Sequence, residues 1–181
     1  MKNINSNYYR LLKIVIVVLL LFFIVDYYVL SVAIVEGDSM YPTINPSNRL
    51  LFVKLPYFKN NLKRGDMIIF EAPEELNRDE LFVKRVIALE DDQYLIDEGV
   101  LFINNKEVTE CYVCDEEYLC KDYPYTEGVV GKSTVFVLGD NRNNSNDSRR
   151  FCCVKKDKII GKVLLRIWPL NEIKVFMNPT N

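Results

Sequence analysis

Three stretches of the chain hold residues able to do chemistry. They are E-G-D-S-M-Y-P-T at 36–43, L-F-V-K-R-V-I-A-L at 81–89 and G-D-N-R-N-N-S-N-D-S-R at 139–149. The 181 residues contain no histidine. That excludes Ser-His-Asp and Cys-His catalysis, the HExxH zinc site and every zinc site that needs an imidazole. A general base must then be Lys, Asp, Glu or Tyr. Ser39 is the candidate nucleophile: Gly37 permits a close backbone approach before it, and Pro42 fixes φ beyond it. Taken alone, a serine beside Met40 and Pro42 reads as a turn residue.

The second stretch supplies a candidate base. In a strand, Phe82, Lys84, Val86 and Ala88 share one face, while Leu81, Val83, Arg85 and Ile87 share the other. One of the two cations must therefore lie on an apolar face. An ammonium among Phe82 and Val86 loses solvation, its pKa falls, and the neutral amine becomes a base. The bland alternative is a lysine at a sheet rim that snorkels to water. In the third stretch, Asp147 stands between Arg142 and Arg149 and can fix the loop by ion pairing. Ser145 or Ser148 can orient a nearby amine, although a solvated polar loop is the simpler reading.

Together, in this order and spacing, the three stretches resemble type I signal peptidases of the bacterial kind. The matching segments are G-D-S-M-Y-P-T at 37–43, K-R-V-I-A-L at 84–89 and G-D-N-R-N-N-S-N-D-S-R at 139–149, with R-G-D at 64–66 as a weaker fourth. The resemblance runs from the N-terminal apolar segment to about Trp168. It implies a membrane-tethered serine endopeptidase that removes signal peptides from exported proteins. Ser39 takes the family's nucleophile position and Lys84 its general base. Ser145 falls where the family places a hydroxyl that orients the lysine amine, and Asp147 and Arg149 fall on its supporting ion pair. Gly37, Asp38, Met40, Phe82 and Val83 flank the pair as expected substrate-binding residues. The resemblance implies two antiparallel β-sheets with a groove facing the membrane, no metal or organic cofactor, and Ala before the cut with a small residue two positions earlier. The chain departs from the family pattern in having Glu90-Asp91-Asp92 for Pro-Gly-Asp, Cys152 for Gly, and Gly37 where some members carry an oxyanion-binding serine.

The elements that must position these residues are mostly strands. Apolar runs at 50–53, 67–70, 81–89, 100–103, 133–139 and 162–167 are four to nine residues long and separated by Asn, Asp, Gly and Pro. Such runs read as β. The expected fold is mainly β, preceded by one helix.

That helix is expected over 14–35, where IVIVVLLLFFIV is followed by a second apolar run after Asp26. Its 22 residues reach about 33 Å, enough for a ~30 Å hydrocarbon core. Lys2, Arg10 and Lys13 precede it, and Glu36 and Asp38 follow it. The positive-inside rule then keeps residues 1–13 in the cytoplasm and puts 36–181 outside the cell membrane as the catalytic domain. A cleavable signal peptide ending at Ala33 is the rival.

Composition narrows the partners. Apolar residues make up 49%, charged residues 27%, and the net charge is −2, which suits a folded domain and gives no basic excess for nucleic acid. The expected partners are preprotein signal peptides and membrane lipid. Cys111, Cys114, Cys120, Cys152 and Cys153 suggest an extracytoplasmic disulfide over a metal site, with the pairing open. Two other readings compete: self-cleaving Ser-Lys proteases of the repressor type, which lack a membrane helix, and a catalytically silent membrane-tethered β-domain acting in assembly or scaffolding.

Overall fold

The computed structural model describes residues 2–54, 61–73, 76, 80–113 and 123–176, and within the first helix the side chains of 8–21 and 23. Helix α1 spans Lys2–Tyr28, and its described side chains are exposed. The expected boundaries of 14–35 need correction at both ends. The helix takes in most of the polar segment 1–13, and Leu30–Ile34 is a strand, β1, paired antiparallel with β2, Arg49–Lys54. L-S-V-A-I is apolar enough to continue a spanning helix, but β2 offers its backbone partners from Leu30↔Val53 to Ile34↔Arg49. The candidate cleavage site at Ala33 lies inside this ladder. Among the described residues, no helix is long and apolar enough to cross a membrane.

The remaining strands are β3 (Met67–Glu71), β4 (Leu81–Ala88), β5 (Gln93–Asp97), β6 (Val100–Ile103), β7 (Lys106–Glu107), β8 (Glu127–Val129), β9 (Thr134–Leu138), β10 (Val154–Lys155), β11 (Ile159–Trp168) and β12 (Lys174–Val175). A short helix, α2 (Ser148–Phe151), separates β9 from β10. The strands form two antiparallel sheets, as expected. The larger has the order β1-β2-β11-β3-β4-β9-β10 with β12 beside β11, and the smaller runs β7-β6-β5-β8.

Alternation along the strands divides the core. On β3, Ile69 joins Val35, Met40, Ile44, Phe52 and Val163 beneath the Ser39 segment, while its neighbours Ile68 and Phe70 point to a cluster with Val86, Val137 and Ile159. A third cluster ties the small sheet to the large one, with Tyr94, Ile96, Leu101 and Ile103 packed on Ile87, Phe136 and Leu138. Burial on both faces of β4 and β9 leaves Lys84 and Arg85 little exposed.

Two turns hold the end of β4. In R-G-D at 64–66, the Gly65 carbonyl accepts from Arg85 Nη1 at 2.9 Å, and the Asp66 carbonyl accepts the Val86 N–H at 2.8 Å. At Glu90-Asp91-Asp92 the chain turns without the family's glycine: Asp91 adopts φ 66°, and Asp92 accepts from the Leu89 N–H and from Arg64. Among the described residues Cys111, Cys152 and Cys153 are free thiols. Cys114 and Cys120 lie outside the described residues, so the expected disulfide does too.

Candidate active site

The Ser39 segment leaves β1 through Val35 and turns at Gly37, whose φ of 82° lies where an L side chain is strained. A Cβ at Gly37 would meet nothing within 4 Å. Backbone conformation, rather than the close approach read from the sequence, is what demands glycine there. Beyond it, Met40 and Ile44 anchor the segment in the core. The other partner arrives on β4, where Lys84 sits opposite Ile68 of β3.

Lys84 Nζ lies 2.7 Å from Ser39 Oγ and 3.1 Å from the Val83 carbonyl, and it stands 5.0 Å from the centre of the Phe82 ring. Lysine 84 is only 4% exposed. Burial lowers its pKa to about 8, against the opposing pull of the Asp147 and Asp140 charges. Desolvation dominates because neither carboxylate bonds the amine; each is held by an arginine. Asp147 accepts from Arg149 Nε and Nη2, both at 2.8 Å, and Asp140 accepts from Arg85 Nε and Nη2 at 2.8 and 2.6 Å.

Ser145 is buried beside the pair, and its Oγ has no hydrogen-bond partner among the described residues. The bond expected from it to the lysine amine is therefore not formed. A Cβ at Gly139 would collide with both Ser145 Oγ and the Ser39 carbonyl, so glycine is what lets the loop close this tightly on the serine. Ser148 turns away and accepts the Val137 N–H at 3.0 Å. Asp147 also accepts the Gly139 N–H at 3.1 Å and caps α2 through the Arg149 N–H, which fixes the loop between β9 and α2.

Several contributors were not singled out in the sequence. Asn141 donates its backbone N–H to the Ser39 carbonyl at 3.1 Å, and Asn144 Nδ2 donates to the Asp38 carboxylate at 3.0 and 3.1 Å. Glu110 and Tyr112 were also not foreseen: Arg142, expected beside Asp147, instead reaches Glu110 at 2.6 Å, and Arg85 stacks on Tyr112 at 3.9 Å. The asparagines were legible only as turn formers; their partners lie about a hundred positions away.

A groove of about 480 Å³ runs over the pair. Gly37, Asp38, Met40, Phe82 and Val83 all line it, as do Ile34, Glu36, Glu80, Leu81 and Asn146. Ile34 and Leu81 are 63% and 56% exposed, which gives the walls apolar surface. Among the described residues, no cluster of His, Cys, Asp and Glu is arranged to hold a metal ion.

The family described as "Signal peptidase, peptidase S26" matches residues 8–168, an interval that contains every segment of this site. The chain belongs to that family. It is 40% identical over 155 residues to a signal peptidase I of Bacillus caldolyticus, covering 80% of this chain and 83% of the relative. It is 31% identical over 172 residues to a signal peptidase IB of Staphylococcus aureus (strain MRSA252), covering 87% and 88%. A crystal structure of a signal peptidase I from Enterococcus faecalis V583 superposes with a TM-score of 0.48 at 28% identity, over 57% of this chain and 97% of that one. As a member of this peptidase family the chain is a hydrolase, and among the described residues no cysteine lines the groove. The Cys153 thiol is pushed up to about 11 by burial and the adjacent Cys152, so it stays protonated and poorly nucleophilic.

Proposed function

We propose that the chain is a membrane-tethered serine endopeptidase that cleaves signal peptides from exported preproteins, with Ser39 as nucleophile and Lys84 as general base. The observation that carries this reading is the 2.7 Å contact between Lys84 Nζ and Ser39 Oγ at the floor of the groove. As an ammonium, Lys84 donates to the serine. Once neutral, its lone pair accepts the serine proton across the same distance, and a pKa of about 8 makes the neutral form accessible near physiological pH.

The alkoxide then attacks the scissile carbonyl, and the Ser39 N–H faces the developing oxyanion. The Lys84 ammonium protonates the leaving amine. Water deprotonated by the same lysine releases the acyl group and regenerates Ser39. Asp147 and Arg149 keep the loop in place. The family resemblance gives the Ser145 hydroxyl the role of orienting the amine during the cycle, although it makes no bond to the amine in this state.

The substrate lies extended between Ile34–Met40 and Glu80–Lys84 and uses main-chain hydrogen bonds in the manner of an added strand. Gly37, Asp38, Met40, Phe82 and Val83 form its bed. Small side chains such as Ala fit before the cut.

Membrane tethering rests on α1, whose described side chains from Ile14 to Leu21 are all apolar and exposed. Only a few residues separate its end at Tyr28 from the groove. The α1 segment lies in the cell membrane with the N-terminus cytoplasmic and the catalytic domain on the outer side. The deciding experiment incubates the full-length protein in detergent with a preprotein, beside Ser39→Ala. Cleavage at the signal-peptide junction by the wild type alone is expected. No cleavage by the wild type would favour the silent scaffold, and a fully active Ser39→Ala would end the nucleophile assignment.

A further inference from the structure

The small sheet touches the loop around the dyad through the connection between β7 and β8. In the order β7-β6-β5-β8 these strands are the two outer edges, so the connection over 108–126 begins at one edge and ends at the other. Near each end an aromatic ring lies over a buried arginine. Tyr112 sits 3.9 Å from the Arg85 guanidinium, and Tyr123 sits 4.4 Å from that of Arg149. These are the arginines that hold Asp140 and Asp147, the two carboxylates whose charges act on Lys84. The rings are themselves tied down. Tyr112 donates its hydroxyl to Glu110 at 2.6 Å, Glu110 accepts from Arg142 Nη2 at 2.6 Å, and the Tyr125 N–H donates to the Arg149 carbonyl at 3.2 Å.

A ring fixes a guanidinium in two ways: its π face attracts the cation, and its bulk keeps water off that side. Both arginines meet their carboxylates through Nε and Nη2, a two-pronged contact that needs the guanidinium held in one plane. An arginine free to turn would release its carboxylate toward the neighbouring cation, which is Lys84. The other groups around the amine offer less. Glu36, Asp38 and Glu80 line the groove but are exposed, and Asp38 is bonded by Asn144. On β3 the residue opposite is Ile68, the Ser39 segment presents a hydroxyl, and on β4 itself the adjacent charge is Arg85, paired with Asp140. Among the described residues, control of the amine's charge falls to Asp140 and Asp147.

We infer that Tyr112 and Tyr123 are positioning residues for Lys84: their rings hold Arg85 and Arg149 on Asp140 and Asp147 and keep both carboxylates from bonding the amine. The inference rests on the proposed reading of Lys84 as the base and gives the small sheet a part in keeping that base active. Leucine at either position removes the ring and keeps apolar bulk, whereas phenylalanine keeps the ring. A carboxylate released toward the amine, or water admitted beside it, favours the ammonium, so losing a ring raises the Lys84 pKa.

The test measures the charge of Lys84 apart from its chemistry. In the full-length protein in detergent, the NMR resonance of Lys84 Cε, assigned by its loss in Lys84→Met, is titrated beside the pH profile of kcat/KM on a cleavage-site peptide. Tyr123→Leu should move both midpoints upward by about one unit, since Asp147 is the stronger of the two charges acting on the amine. Cleavage at pH 7 then falls about tenfold, while the rate on the alkaline plateau stays within about twofold of the wild type. Tyr112→Leu should move both midpoints by about half a unit, and Tyr112→Phe and Tyr123→Phe should keep the wild-type values. Tyr94→Leu is the control: that ring stacks on Phe136 at 4.0 Å and on no cation, so its loss should cost stability and move neither midpoint. If Tyr123→Leu does not fold, Tyr123→Met serves in its place. Midpoints that stay put in both ring-less variants, or that move as far in Tyr94→Leu, would overturn the inference. A Lys84 resonance that shifts while the cleavage profile does not would support the hold on the amine and count against Lys84 as the base alone.

Discussion

The two sides of β4 treat a buried cation in opposite ways. Lys84 and Arg85 are adjacent and almost equally buried, at 4% and 5% exposure. On the groove side, Lys84 finds a hydroxyl and a carbonyl, and burial drags its pKa down to about 8. On the other side, burial also opposes the charge of Arg85, but the hydrogen bonds and charge of Asp140 outweigh it and the pKa is raised. Arg85 is thereby held as a permanent cation. What distinguishes a base from a structural cation is whether the nearest carboxylate is free to bond it. At this site both carboxylates near Lys84 are already bound by arginines.

Replacing the amine should produce the largest effect. Lys84→Met keeps the aliphatic stem and should reduce cleavage by at least about 10⁴-fold, because the members of such a pair act as a unit; single-turnover assays with a preprotein check this. A Lys84→Met protein that still cleaves would show that the groove-side cation is not the base.

Breaking the other side should affect the fold. Asp140→Asn leaves Arg85 buried without its anion and should cost roughly 3–5 kcal/mol in urea unfolding. An unchanged midpoint would mean that Tyr112 and the Gly65 carbonyl suffice to hold the guanidinium.

The pH dependence separates the two sides further. The folded pKa of Lys84, about 8, lies below the ordinary value of 10.5. Between these values the unfolded chain binds more protons than the folded one, so stability rises with pH across that window. Below pH 8 the buried lysine costs roughly 3 kcal/mol. Lys84→Met should therefore be more stable than the wild type near pH 7, and the advantage should shrink as the pH approaches 10.5. Wild-type cleavage should climb through about pH 8 as the free amine appears. A stability difference that is flat with pH would mean that Lys84 does not titrate in this range.

The smallest effect concerns the loop that supplies the anions. Cys152 ends α2 with φ 66° and ψ −154°, a region that side chains rarely occupy and where the family pattern has glycine. Cys152→Gly should raise stability by about 1 kcal/mol without changing cleavage. Loss of cleavage in that variant would give the thiol a role although it does not line the groove.

Much of the site was legible because residue type alone restricts the chemistry. With no histidine the base had to be Lys, Asp, Glu or Tyr, and the resemblance carried by the three motifs singled out Ser39 and Lys84. The phase of β4 alone puts Lys84 on the same face as Phe82. The partners of Arg85, Asp38 and Ser39 were not legible, because Asp140, Asn144 and Asn141 are 55 to 106 positions away and look like turn residues in sequence. The strand β1 was hidden for another reason: L-S-V-A-I continues an apolar run, and apolarity does not distinguish the end of a helix from a buried strand.

Residue types and their order by themselves determined six of the twelve described strands and the mainly β class, and through the resemblance of the three motifs the candidate nucleophile and base. Those properties depend on local alternation and on which side chains can exchange a proton. Tertiary structure alone decided where α1 stops, since only β2 could offer β1 a ladder. It also decided which cation of β4 would be neutralised by a carboxylate and which would be left to lose its proton. Desolvation and pairing are properties of what surrounds a side chain, and in this fold the surroundings of Lys84 are assembled from three segments that meet only when the sheets close.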